Sequence, residues 1–154
     1  MKCVFLTLLS SLVICSTAWG QAPLISMVVP GDVVSFVEIQ NPTDTPLDMT
    51  GYHLATTPEY YRIVEGTIAD GPEGWVASFP SGFVAPPGRS IVLLDGEISA
   101  FADTYQLQPE AAVGASDEGT LELTVVGGDL AALAPEQGLI ALFYWDGVSD
   151  VVSD

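Results

Sequence analysis

His53 is the only histidine in the chain, and an imidazole is the side chain best suited to moving protons near neutral pH. A hydrolytic site would also need a nucleophile and an orienting acid. His53 instead lies in the strand-like triplet Tyr52-His53-Leu54, and the chain has no Gly-x-Ser-x-Gly elbow. It therefore reads as a surface or half-buried strand histidine. A zinc site of the usual kind needs several Cys or His ligands, and the only cysteines, Cys3 and Cys15, sit near the N-terminus. The 20 acidic residues could supply a carboxylate pair for glycoside cleavage, but no spacing singles out two of them. Glu38 is the acid of most interest, because it sits between Val37 and Ile39 in an apolar strand. A partly buried carboxylate needs a partner, here a nearby turn, Arg62 or Arg89; the other reading is a ligand contact. Asp146-Gly147-Val148-Ser149-Asp150 faintly resembles a calcium loop but lacks the alternating acids and the distal glutamate. Its Asp-Gly pair reads as a two-residue hairpin turn. Asp44 and Asp48, around an Asn-Pro turn, read the same way. Tyr60, Tyr61 and Trp75 could stack on sugars or cover the end of a core. The residues thus nominate no catalytic, cofactor-binding or metal-binding group, and the expectation is a protein that is not an enzyme.

The N-terminus reads as a processing signal. Lys2 supplies a short positive start, and residues 4–15 (VFLTLLSSLVIC) form an apolar run of twelve. That is well short of the roughly 20 residues that span a bilayer. Ala18 and Gly20 stand three and one residues before Gln21, the small-x-small pattern cleaved by a signal peptidase. Cys15 does not suit a lipoprotein, because the preceding residue is Ile14 rather than a small one. The expected organisation is a signal peptide over residues 1–20 and one domain over 21–154. Both cysteines leave with the signal, so the remainder must rest on packing and backbone pairing, a pattern more typical of bacterial export. The expected location is outside the cytoplasm: secreted, periplasmic or on the cell surface.

The charge balance excludes further classes. After cleavage 20 acids face Arg62 and Arg89, a formal charge of −18. Nucleic-acid binding depends on Lys and Arg that neutralise phosphates, so no nucleic-acid partner is expected. A basic membrane-binding patch is excluded likewise, and no membrane insertion is expected after cleavage. Solubility, adaptation to salty water and weak divalent-cation binding all remain open as reasons for the acidity.

The elements that must position these residues are short apolar runs broken by Gly, Pro and Asp. This spacing predicts an all-β sandwich or barrel. Strands are expected over residues 24–29, 33–40, 47–55, 60–64, 75–79, 90–94, 120–126, 139–145 and 148–152. The run at 33–40 should place Val33, Ser35, Val37 and Ile39 on one face and Phe36, Glu38 and Gln40 on the other, with a further segment covering Phe36. Gly51 marks a bulge or close approach. The apolar run 139–145 (LIALFYW) should be buried on both faces. One helix is predicted over residues 99–105, from Ile98, Phe101, Ala102 and Tyr105 at helical spacing with Ser99 as cap. Residues 65–74 and 130–137 read as loops and 106–115 as a connector.

The segment FVEIQNPTDTPLDMTGYHL, residues 36–54, resembles the lamin-tail signature of a strand, an Asn-Pro turn and an Asp-Leu-Ser-Gly-Trp-type strand. Further resemblances follow in order: FPSGFVAPPGRSIVL at 79–93, Phe101-Ala102-Asp103-Thr104-Tyr105, and VSDVVSD at 148–154. The resemblance implies an immunoglobulin-like β-sandwich of the kind found as an accessory domain in exported bacterial proteins. The first strand departs from the pattern, with Ser26-Met27 where Asn-Glu is usual, and residues 56–74 look like an insertion. The family pattern continues beyond the equivalent of Asp154, which implies a domain truncated at its C-terminus. The function implied is a non-enzymatic binding or attachment module for a protein or glycan at the cell surface. The alternative is a carbohydrate- or calcium-binding accessory module of a longer extracellular enzyme.

Overall fold

The computed structural model describes residues 22–66, 74–128 and 138–153. The signal read at 1–20 and the loop at 130–137 lie outside the described residues, as does most of the loop at 65–74. Among the described residues, ten strands and one α-helix appear in chain order. They are β1 (Leu24–Val29), β2 (Ser35–Asn41), β3 (Leu47–Asp48), β4 (Tyr52–Ala55), β5 (Trp75–Ser78), β6 (Val84–Ala85), β7 (Gly88–Asp95), α1 (Ile98–Tyr105), β8 (Ala111–Val113), β9 (Leu121–Gly128) and β10 (Ala141–Tyr144). A 3-10 helix over Tyr60–Glu65 lies between β4 and β5.

Eight strands form one sheet in the order β1-β2-β7-β8-β9-β5-β4-β10, and β3 pairs with β6 in a separate ribbon. β9 joins the two halves of this sheet. Its start, Leu121 to Leu123, runs parallel to β8, and its later residues pair antiparallel with β5. The halves meet over a shared core. Val37, Ile39, Val92, Leu94, Ala111 and Val113 come from one half, and Leu54, Trp75 and Ala77 from the other. The expected sandwich- or barrel-like β architecture is thus present.

The alternation of β2 explains this layering. Val37 and Ile39 point into the shared core, while Phe36 belongs to an outer cluster with Val34, Leu93, Ile98, Phe101 and Ala112. α1 is the segment that covers Phe36, with the Phe36 and Phe101 rings edge to face at 5.2 Å. Val33 is a correction: it is 70% exposed, and Val34 is buried instead. Val33 lies in the bend before β2, which begins only at Ser35, so the alternation of the strand does not reach it. Helix α1 begins at Ile98, and its first turn has no side-chain cap, so Ser99 does not play that role.

The Asn-Pro turn is held by one buried amide. Asn41 Nδ2 donates to the carbonyls of Thr45 (2.9 Å) and Ala85 (3.0 Å). Its Oδ1 accepts from the Thr43 amide and hydroxyl. All four hydrogen bonds open to its side-chain amide are thereby made, three of them to the main chain, and the turn is tied to β6.

Four further expectations are corrected. Residues 60–64 form 3-10 helix rather than strand, because a spacing of three aligns Glu59, Arg62 and Glu65 in ion pairs and Tyr60 with Ile63 on the sheet side. Within the expected connector 106–115, Ala111–Val113 forms β8, parallel to both of its neighbours. β10 is an edge strand, so only Phe143 is fully buried while Leu139 and Tyr144 remain exposed. Residues 148–152 form no strand; the chain meets β10 again only at a single bridge from Tyr144 to Ser153.

Candidate functional site

The outer face of the second half-sheet carries a small cleft. β4 and β10 pair so that His53 lies opposite Phe143, and their rings stack at 5.2 Å and 14°. The 3-10 helix lies across this pair. Its Ile63 packs with Ala55, Val76 and Phe143, and the Tyr60 ring stands 4.8 Å from that of Phe143. Gly66, in left-handed conformation, ends the helix and returns its amide to the Ile63 carbonyl. The helix is too short to cover the face. A cavity of about 230 Å³ remains, lined by His53, Ile63, Gly66, Val126 and Trp145.

Gly51 sets the geometry of this cleft. Its φ of +84° is the left-handed conformation that turns the chain from β3 into β4. Its carbonyl accepts the Trp145 amide at 2.9 Å and lies 2.9 Å from His53 Nδ1. A Cβ at this position would meet the Tyr144 ring at 2.8 Å, so the backbone can approach β10 only as glycine. Expected as a bulge or close approach, Gly51 is the latter. Trp145 is oriented at its other end, where Nε1 donates to the Ser149 carbonyl at 2.9 Å. That carbonyl is presented by a turn in which Asp146 Oδ1 accepts from the Val148 and Ser149 amides and the Ser149 hydroxyl. Asp146-Gly147 therefore works as the start of an Asx turn in a longer loop, not as a two-residue hairpin.

The electrostatics of the cleft follow from burial. His53 is buried, and desolvation holds its pKa below the ordinary imidazole value, opposed in part by the hydrogen bond to the Gly51 carbonyl. The ring is neutral at pH 7. A nitrogen facing a carbonyl must carry the proton, so Nδ1 donates and Nε2 keeps its lone pair. No described serine, threonine or carboxylate is hydrogen-bonded to the ring. The arrangement can hold a ligand against aromatic and aliphatic walls; it lacks the partners of a general base.

Comparison with known proteins returns nothing. No protein-family model, curated protein or solved structure matches the chain. The lamin-tail resemblance therefore stands on the quoted segments alone.

The remaining candidates are dispersed. Glu38 lies on the outer face of the first half-sheet, 3.0 Å from Arg89 Nη1 and 2.6 Å from Ser26 Oγ. Of the partners anticipated for it, Arg89 is the one in place. Arg62 instead pairs with Glu59 and Glu65. Asp48 caps a turn by accepting from the Thr50 amide and hydroxyl, which lowers its pKa. Asp44 is exposed on the Asn-Pro turn. Among the described residues no three Asp, Glu, His or Cys converge as a metal site would require. Trp75 is core, Tyr60 is half-buried and Tyr61 is exposed. Residue-type reasoning missed Trp145, Ile63 and Val126. Trp145 was detectable as the last residue of an apolar run that ends on Asp-Gly.

Proposed function

We propose that the chain is an exported, non-enzymatic β-sandwich of lamin-tail, immunoglobulin-like type that binds or attaches to a partner outside the cytoplasm. The observation that supports binding is the cleft between His53 and Trp145. It is built from sheet, helix and turn elements, and its described lining is mostly apolar around the neutral side chain of His53. Pockets of this character position ligands through walls and a few polar contacts. The parallel strands β7, β8 and β9 are an addition to the antiparallel plan of an immunoglobulin sandwich. The leader at residues 1–20 supports export, and the formal charge of −17 disfavours polyanionic partners.

Expression of the full chain in a bacterial host, followed by N-terminal sequencing of the extracytoplasmic protein, tests the placement. The expected first residue is Gln21; protein retained in the cytoplasm with residues 1–20 intact would overturn it. A carbohydrate-binding accessory role is the second reading, favoured by the exposed rings of Tyr61 and Tyr144 near this edge. A glycan array separates the two readings: binding that Tyr61→Ala and Tyr144→Ala abolish would establish the second.

A further inference from the structure

The cleft has a chemistry that narrows its ligand, on the reading that the protein is a binding module. Its volume of about 230 Å³ exceeds the ~150 Å³ of an apolar protein cavity that admits benzene, so a compact organic group fits. Its polar equipment is small. The Trp145 N–H is already given to Ser149, and the His53 Nδ1 proton to Gly51. Among the described residues, what is left is an imidazole lone pair, the indole face, the imidazole face not stacked on Phe143, and the aliphatic walls of Ile63 and Val126. A sugar would leave most of its hydroxyls unpaired here. A carboxylate or phosphate would find no free donor among the described side chains that line the cleft, and would be repelled by a chain of formal charge −17.

A cation meets the opposite conditions. Aromatic faces attract cations through their quadrupole, by about 0.5–2 kcal/mol according to desolvation. The His53 and Trp145 rings are 6.3 Å apart and inclined at 51°, an open angle rather than a closed stack. The neighbouring charge is also favourable. On the 3-10 helix beside the cleft, Arg62 is held between Glu59 at 3.0 Å and Glu65 at 3.3 Å, which leaves that segment net negative. Arg89, the other arginine, is engaged with Glu38 on the opposite half-sheet.

We propose that the cleft lined by His53, Ile63, Val126 and Trp145 binds a small organic ammonium cation, its alkyl groups against Ile63 and Val126 and its charge against the Trp145 and His53 rings.

The test is titration of the purified full chain with choline and with its uncharged carbon isostere, 3,3-dimethylbutan-1-ol. The readouts are the NMR signals of the Trp145 indole N–H and the His53 ring. The expected result is a saturable shift at both residues with choline, at least tenfold weaker binding of the isostere, and weakening as salt is raised. Trp145→Leu should reduce choline affinity at least tenfold. Should that variant fail to fold, Val126→Trp fills the cleft from an exposed strand position and should abolish binding with Trp145 in place. Equal affinity for choline and the isostere would overturn the ammonium assignment while leaving an apolar binding site. No shift with choline, but a shift of the same two signals by another small-molecule probe, would do the same. Silence at Trp145 and His53 across choline, the isostere and a panel of small neutral and charged molecules would overturn the binding-module reading as well.

Discussion

The two outer faces of the sheet are built alike and finished differently. Each half-sheet turns one face to the shared core and the other to a short helix. On the first half, α1 lays Ile98 and Phe101 over Phe36 and Leu93, with the Phe101 and Tyr105 rings 5.0 Å apart, and the face is closed. On the second half, the 3-10 helix offers one fully buried side chain, Ile63, and the cleft beside His53 remains. The difference is geometric. An α-helix carries neighbours at i+3 and i+4 and so presents a broad stripe, whereas a 3-10 helix stacks its side chains in rows three apart and presents a narrow ridge. A narrow ridge on a flat sheet leaves a gap beside it, and here that gap contains the chain's only histidine and a tryptophan.

The largest expected effect is on the closed face. Phe101→Ala should destabilise the fold by about 3–5 kcal/mol, since a fully buried aromatic leaves a cavity that its neighbours cannot fill. Chemical denaturation would measure it; a loss under 1 kcal/mol would mean that α1 is not packed as described. Ile63→Ala on the open face should cost less, about 2 kcal/mol, because one side of Ile63 already borders a cavity. If the two substitutions cost the same, the contrast between the faces fails.

A pH series sharpens the comparison, because only the open face contains an imidazole. The folded-state pKa of His53 lies below its unfolded value near 6.5, so the unfolded chain takes up the proton first on acidification. The neutral ring therefore imposes no penalty above pH 6.5, and stability is lost as pH falls below 6.5 toward the folded pKa. The slope from this one group is at most about 1.4 kcal/mol per pH unit. Phe143 and Trp145 flank the ring, and the Gly51 carbonyl is its hydrogen-bond partner. His53→Phe should flatten the wild-type stability curve between pH 7 and 5; identical curves would show that the ring is solvated. The smallest effect belongs to the ion pair on the first half-sheet. Arg89→Ala should cost about 1 kcal/mol or less, because its side chain is 67% exposed and solvent screens the pair. A greater loss in 1 M salt would contradict that account.

Much of the first half was readable from residue pattern. The limits of β1, the central position of β7, the site of α1 and the covering of Phe36 all follow from alternation, apolar run length and helical spacing. The second half was read less well, for identifiable reasons. Tyr60-Tyr61-Arg62-Ile63-Val64 has strand-forming residues, but among the described residues no strand pairs with this segment, and Tyr60 and Ile63, three apart, pack together on the sheet instead. The run at 139–145 is apolar enough for a central strand, yet it lies at the edge, because which strand becomes an edge is a property of sheet order. The three residues of β8 carry too little pattern to be recognised without their neighbours.

The sequence by itself determined the β class, many of the places where the chain must turn, and the local bonding of Asn41 within its own turn; the bonds of Asp48 to Thr50 and of Asp146 to Ser149 are equally local. These depend on interactions within a few residues, and local chemistry suffices for them. Only the tertiary structure decided that Gly51, His53, Ile63, Val126 and Trp145 share one place. They come from four segments, and the carbonyl that holds the His53 ring and the Trp145 backbone belongs to a glycine whose role is visible only once β10 is laid beside β4. A cleft is space left over between packed elements, so it exists only when the packing does.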